Sequence, residues 1–304
     1  MQRRKLKHLN KYNILSTEQY GFRVRYKMDN ATYKLTTEIL NAMNNKLIVG
    51  GIFCDLEKAF DCVNYHILLS ELKYYGINGK AFQLYQSYLS NRYCRTAIYN
   101  DNAEKNKASN WARVSHGVPQ GSILGPILFL LYINDLPKII NKNLTPIIFA
   151  DDTSILFTHS NQIDFTENIN MTFKTLNKWL RANELPLNFN KTNHVHFATK
   201  RNMIIDFKIG FNNNFIASSA STKFLGMTIN NNLNWNDHVD SITKKLSKAC
   251  YMRRNAKICM STSSLIMIYY AFFHSIMSYG IIFWGNSSHS SSIFRLQKKK
   301  QSES

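Results

Sequence analysis

Between residues 147 and 157 the chain reads Ile-Ile-Phe-Ala-Asp-Asp-Thr-Ser-Ile-Leu-Phe, two apolar runs parted by adjacent acids. Runs of this length, rich in Ile and Phe, form strands, so the pattern predicts a β-hairpin with Asp151 and Asp152 at its tip. Aspartate tolerates turn geometry, which is the plain account of the pair. Adjacent carboxylates repel each other, however, and an ordinary tight turn is more readily built from Asn-Gly or Asp-Gly. A divalent cation would relieve the repulsion. The pair therefore points to a metal site, and through it to a reaction.

Charge narrows the partners. The 304 residues carry 38 Lys and Arg against 19 Asp and Glu, a formal net charge of +19. That surplus calls for a polyanion, either nucleic acid or an acidic membrane face. With 44% hydrophobic residues, one large domain or two modest ones can bury a core. The five cysteines, Cys54, Cys62, Cys94, Cys250 and Cys259, show no Cys-x-x-Cys spacing, so a reducing compartment is expected. Met1 is followed by Gln-Arg-Arg-Lys-Leu-Lys without an apolar stretch behind it, which argues against a signal peptide. From Ile258 to Phe294 there is no Asp, Glu, Lys or Arg. Its length would suit a bilayer, but His274, Ser275, Ser278 and Gly280 interrupt it, and packed short elements account for it as well.

Periodicity predicts a helix around Thr32 to Asn44 and a buried strand over Leu47 to Cys54, ending at Asp55. Asn64 can cap a helix that buries Ile67, Leu68, Leu72 and Tyr75 and stops at Gly76. A helix follows from Gly79 to Leu89, then strand-like segments flanking a polar loop over Asn100 to Asn110. Gly121 to Asp135 reads as a very apolar helix broken near Gly125-Pro126, and Asp164 to Glu184 as an amphipathic one. Val195 to Phe197 and Lys223 to Ile229 read as strands, and Trp235 to Lys257 as a basic helix. The order lacks strict βαβ alternation, which predicts an α+β fold with helices on one face of an antiparallel sheet.

Three features carry chemistry together. Phe53-Cys54-Asp55-Leu56-Glu57-Lys58-Ala59-Phe60-Asp61 delivers Asp55 at a strand end. Gly117-Val118-Pro119-Gln120-Gly121-Ser122 is a glycine-bounded loop before an apolar helix, and Phe149-Ala150-Asp151-Asp152 is the third. In this order they resemble the palm of reverse transcriptases, and specifically those of non-LTR, LINE-type retrotransposons of the jockey-like group. The likeness spans nearly the whole chain. Gln19-Tyr20-Gly21-Phe22-Arg23 resembles a finger segment of that family, and Asp55 to His66 its first palm motif. Gly117 to Asp135, running into Leu136, is nearly the family pattern, and Leu187 to Phe197 with Lys191-Thr192 resembles the fourth palm motif. Phe224-Leu225-Gly226 is similar to the primer-grip strand, and Tyr279-Gly280 to Trp284-Gly285 to a thumb-side segment.

The resemblance implies a right-hand polymerase with partial fingers at 1–46, a palm with an antiparallel sheet at 47–232, and a helical thumb-like region and tail at 233–304. It implies an RNA-directed DNA polymerase, part of a retrotransposon polyprotein, that extends a DNA primer on an RNA template with deoxynucleoside triphosphates. Its cofactors would be two Mg2+ ions, with Mn2+ as a substitute. Asp55 and Asp151 would be metal ligands, and Asp152 a third ligand or a support for the others. Lys191 would serve the leaving pyrophosphate as proton donor or counter-charge, although a solvated surface lysine is the plain alternative. Phe60 would pack beneath the incoming sugar and exclude a 2′-hydroxyl, and Gln120 and Gly121 would shape the nucleotide pocket. Arg23, Arg25 and Arg92 would contact nucleic acid, as would Lys244, Lys245, Lys248 and Arg253 on the basic helix. No membrane partner is implied, and the expected site of action is intracellular, in the nucleus. Asp61 also fits the pattern, without an evident role.

The sequence departs from full-length members of the family. No endonuclease region precedes Met1, the first finger motifs are missing, and Lys298-Lys299-Lys300 leads into a short polar tail without a Cys/His cluster. This predicts a fragment or decayed copy. The rival function is a truncated, inactive remnant that only binds RNA or an RNA–DNA hybrid. An RNA-templated RNA polymerase is a further alternative, disfavoured by Ala150 and Phe60.

Overall fold

The structure is a computed structural model that describes residues 8–9, 11–98, 107–140, 144–198 and 207–301. The apolar strand Ile48–Cys54 sits at the centre of a five-stranded sheet. On one side it pairs antiparallel with Asp152–His159, which pairs with Thr145–Phe149; on the other it pairs antiparallel with Asn193–Phe197. The short edge strand Ala217–Ser218 joins Asn193–Phe197 in parallel. The first of the palm-like expectations, an antiparallel sheet built on Leu47 to Cys54, is what the chain forms.

The sheet is covered on both faces, not on one. Successive strand residues point to opposite sides, and here both sets are apolar. Ile52, Cys54, Ile148, Ile155 and Phe157 pack with Phe165, Ile169, Phe173 and Leu176 of the helix Gln162–Ala182 and with the helix Gly125–Tyr132. Val49, Phe53, Ile147, Leu156 and Phe197 pack instead with Leu35 and Ile39 of the helix Met28–Asn44 and with Val239, Ile242 and Leu246 of Asn236–Ala256. Gly50 lets the helix Gln162–Ala182 approach: a Cβ there would stand 2.7 Å from the Phe165 ring.

Local signals fix several boundaries. Asn64 accepts hydrogen bonds from the His66 and Ile67 amides and caps Tyr65–Tyr74, and the next helix runs from Gly79 to Leu89 as its periodicity predicts. Gly125-Pro126 starts its helix rather than breaking it, because proline in the first turn has no amide to leave unpaired. The segment 223–229 is a hairpin, Ser221–Phe224 with Met227–Asn230, not one strand. Its turn residues Leu225 and Gly226 both have positive φ, 46° and 80°, as a two-residue hairpin turn demands. The polar loop over Asn100 to Asn110 lies mostly outside the described residues.

The charge-free stretch beyond Ile258 breaks into short helical pieces. Thr262–Ile268 continues through a π-helical turn, Tyr269–His274, into Ser275–Ser278, and Ile281–Trp284 follows after Gly280 at φ 61°. Trp284 is fully buried against the basic helix, and among the described residues no helix is long and apolar enough to cross a membrane.

Candidate active site

The hairpin that carries the acids is offset by one residue from the expected tip. Ala150 and Asp151 form the turn, whereas Asp152 opens the return strand and pairs with Phe149. Cys54 pairs with Thr153, so the register places Asp55 opposite Asp152 one step further on. Asp151 adjoins them from the turn. Three carboxylates thus gather at one end of the two central strands.

Electrostatics reflect the crowding. Burial on the cleft floor pushes the Asp152 carboxyl up to about 6, and the charges of Asp151 and Asp55 push the same way. Burial also raises Asp151, opposed by a backbone hydrogen bond and reinforced by Asp55. The Asp152 residue still presents surface to solvent, since it lines an open cleft of about 640 Å³. Asp55, Lys191, Asn193, Lys223 and Phe224 line the same cleft.

The segment after the Gln162–Ala182 helix brings Lys191 to this cluster. The Glu57 amide donates to the Pro186 carbonyl and the Asn188 amide to the Asp55 carbonyl, both at 2.9 Å. The Asp55 amide donates to the buried Thr192 hydroxyl at 3.1 Å. Lys191 Nζ then lies 3.8 Å from Asp55 Oδ2. Both groups are solvent-accessible, so this pair contributes little to stability.

Phe60 is wedged by aromatics. Its ring stacks on Phe129 at 4.3 Å and meets the exposed Phe22 edge-on at 6.3 Å. The Val118 amide donates to the Phe60 carbonyl at 2.9 Å, tying the glycine-bounded loop to the first motif. Gly117, at φ 83°, runs so close to the Asp61 backbone that a Cβ would stand 2.8 Å from its carbonyl oxygen. Asp61 gains a role here, because Gln120 Nε2 donates to its carboxylate at 2.9 Å. Gln120 and Gly121 are both exposed, and Gly121 has positive φ with open space above it.

The arginines divide. Arg23 donates to the Ser16 and Gln19 carbonyls and stacks over Tyr26, which braces the loop it belongs to. Arg92 donates to the Tyr65 hydroxyl and the Gly117 carbonyl and so supports the glycine-bounded loop. Arg25 is exposed. On the basic helix Lys244, Lys245 and Lys248 are exposed and Arg253 is half-buried. Tyr279 donates its hydroxyl to the Leu225 carbonyl, linking this region to the turn of the 221–230 hairpin.

Residue patterns alone did not single out Gln19, Thr192 or Tyr65. Gln19 is buried, and its Oε1 accepts from the amides of both Gly21 and Ala150. Each lay inside a segment noticed for other reasons, but a contact across 131 positions leaves no local trace.

Carboxylate oxygens are the hard donors that Mg2+ prefers. Among the described residues no group of three His, Cys, Asp or Glu side chains is placed to hold a metal ion by itself. An open carboxylate set of this kind suits an ion that keeps water and substrate phosphate in its shell.

The antiparallel sheet, with Asp151 in a hairpin turn and Asp152 opening the return strand, is the arrangement that the resemblance to the reverse transcriptase palm predicts. The reverse transcriptase (RNA-dependent DNA polymerase) family profile matches residues 1–229, and the chain belongs to that family. Among its relatives, the Drosophila melanogaster protein described as a probable RNA-directed DNA polymerase from transposon X-element is 28% identical over 94% of this chain. Its counterpart from transposon BS is 26% identical over 91% of the chain, and the RNA-directed DNA polymerase from mobile element jockey is 24% identical over 92%. The chain spans only 31% of the length of each of these relatives. The solved structure of apo telomerase from Candida tropicalis shares the fold, with a TM-score of 0.51 at 15% identity, over 98% of this chain and 48% of that one.

Proposed function

We propose that this chain is the catalytic core of a retrotransposon RNA-directed DNA polymerase, adding deoxynucleotides to a DNA primer on an RNA template. The observation that carries this reading is the meeting of Asp55, Asp151 and Asp152 at one end of the central strands, beside a cleft lined by Asp55, Asp152 and Lys191. Nucleotide addition is an in-line phosphoryl transfer in which positioning and charge neutralisation do most of the catalysis. Asp55 and Asp151 would hold divalent metal, Mg2+ with Mn2+ as substitute, and Asp152 would complete or support the set. Bound there, the ions supply activation of the primer 3′-oxygen and neutralisation of the leaving pyrophosphate.

The chain's own residues do the rest. Lys191 sits where it can balance or protonate the pyrophosphate while Thr192 holds the Asp55 backbone. Phe60, fixed on Phe129, forms the floor under the sugar, and Gln120, oriented by Asp61, borders the nucleotide. Lys244, Lys245 and Lys248 would track duplex phosphates. In domain terms we assign fingers to 1–46, palm to 47–232 and a thumb-like region to 233–304, acting on nucleic acid in the nucleus.

Primer extension on poly(rA)/oligo(dT) with dTTP and Mg2+ tests the reading. Extension by the unaltered chain and its loss in Asp151→Asn are the expected results. Extension unchanged in Asp151→Asn would overturn the site, and binding without extension would leave the remnant that only binds RNA or hybrid.

A further inference from the structure

A short two-stranded ribbon stands outside the central sheet, and apart from Arg92 its residues have none of the roles above. Arg92–Cys94 pairs antiparallel with Ala112–Val114, with Arg92 opposite Val114 and Tyr93 opposite Arg113. The same register carries Arg95 opposite Trp111, and the Arg95 guanidinium lies 4.7 Å from the Trp111 ring centre. Side chains two apart share a face of a strand. Tyr93, Arg95, Trp111 and Arg113 therefore form one outward face, aromatic beside cation and cation beside aromatic.

Both rings are exposed, Tyr93 at 58% and Trp111 at 61%. A second short pair, Ala97–Ile98 with Lys107–Ala108, continues beyond the ribbon, and the described residues of the two pairs contain no acid. One residue of the opposite face anchors the ribbon: Arg92 donates to the Tyr65 hydroxyl and to the carbonyl of Gly117, in the loop that carries Gln120. Arg92 thus ties the ribbon to the glycine-bounded loop that we assign to the nucleotide.

We infer that this face is a stacking platform for single-stranded RNA, the unpaired part of a template adjoining the nucleotide pocket. The inference rests on the polymerase reading of that pocket. Flat π-faces accept any base, and flanking guanidinium groups meet the phosphates and can stack on bases themselves. A duplex offers no such faces, since its bases are stacked on each other. The composition thus selects unpaired strand over hybrid.

Tryptophan fluorescence tests it directly. Of the four tryptophans only Trp111 is exposed, the others being Trp179, Trp235 and Trp284, all buried. Short oligo(rU), a blunt RNA–DNA hybrid, and the same hybrid with a 5′ RNA overhang serve as probes on the full chain. Quenching is expected with oligo(rU) and the overhang and not with the blunt hybrid. Trp111→Ala and Tyr93→Ala should each weaken oligo(rU) binding on the order of ten-fold and leave blunt-hybrid binding unchanged. Equal quenching by the blunt hybrid or by heparin would show a general polyanion surface and overturn the proposal, as would full oligo(rU) affinity in both variants. Primer extension is read in parallel. Extension that survives while oligo(rU) binding ignores both substitutions sinks the platform alone; quenching without extension sinks the polymerase reading instead.

Discussion

Gln19 holds Ala150 through a hydrogen bond of 2.9 Å from the Ala150 amide to its side-chain oxygen. Ala150 lies at φ 57°, a left-handed conformation that strains any residue with a Cβ. The strap around Gln19 supports it: the Tyr20 amide donates to the Ile148 carbonyl and the Ile148 amide to the Glu18 carbonyl. Gly21 fits because a Cβ there would stand 2.4 Å from the Ala150 nitrogen. The turn so bracketed carries Asp151. Gln19→Leu would leave the Gly21 and Ala150 amides unpaired, at about 1–3 kcal/mol each. It should lower the extension kcat on the order of a hundred-fold through misplacement of Asp151. Steady-state extension and thermal denaturation read the two effects, and an unchanged kcat would mean that the turn keeps its shape unaided.

Phe60 owes its position to Phe129, on which it stacks, and to Phe22 at its edge. Shortening it to valine removes the ring without touching the carbonyl that binds the Val118 amide. Phe60→Val should reduce the preference for dTTP over UTP by roughly ten- to a hundred-fold, the range that shape exclusion of one hydroxyl can supply. Competition between the two triphosphates on one primer measures it. An unaltered ratio would return Phe60 to the core.

Asp152 makes stability and activity pull in opposite directions. Its folded-state carboxyl holds a proton up to about 6 against an ordinary 3.8, so over that interval the folded chain binds more protons than the unfolded one. By linkage, stability falls as pH rises from about 4 through 6, and the loss persists above it. Asp152→Asn should therefore raise the melting temperature of the metal-free chain above pH 6 and have little effect near pH 4. Without that carboxylate, extension should drop. Melting curves across this pH range, taken with chelator, decide the first part; a variant that melts lower at neutral pH would contradict it.

Much of this arrangement was legible before the fold was known, and the reasons differ by element. Asn64, Gly76 and the burial of Leu68 and Leu72 are local signals, so the helix over 65–74 follows from spacing alone. The acids were legible because adjacent carboxylates between apolar runs have few cheap explanations. The hairpin offset was not, since nothing in Phe-Ala-Asp-Asp reveals that Ala150 rather than Asp152 takes the turn; a strap from Gln19 decides it. Likewise the run Lys223 to Ile229 hid a turn at Leu225-Gly226, because only glycine signalled it and leucine argued against it. The second apolar face of the sheet was legible only in part. An apolar run such as Ile48–Cys54 shows that both faces are buried without showing which helices cover them.

The basic helix offers the last prediction. Lys244 and Lys248 are four residues apart and exposed, so they share one face of Asn236–Ala256 while Val239, Ile242 and Leu246 bury the other. If that face tracks a duplex, each lysine displaces about one condensed cation from the phosphates, and binding weakens with salt accordingly. Lys244→Ala and Lys248→Ala should each reduce the slope of log affinity against log salt by about one, with the double variant additive. Stability should hardly change, because neither lysine pairs with an acid among the described ion pairs. Hybrid binding by fluorescence anisotropy over a salt series measures the slopes. Slopes equal to that of the unaltered chain would place the duplex on another surface.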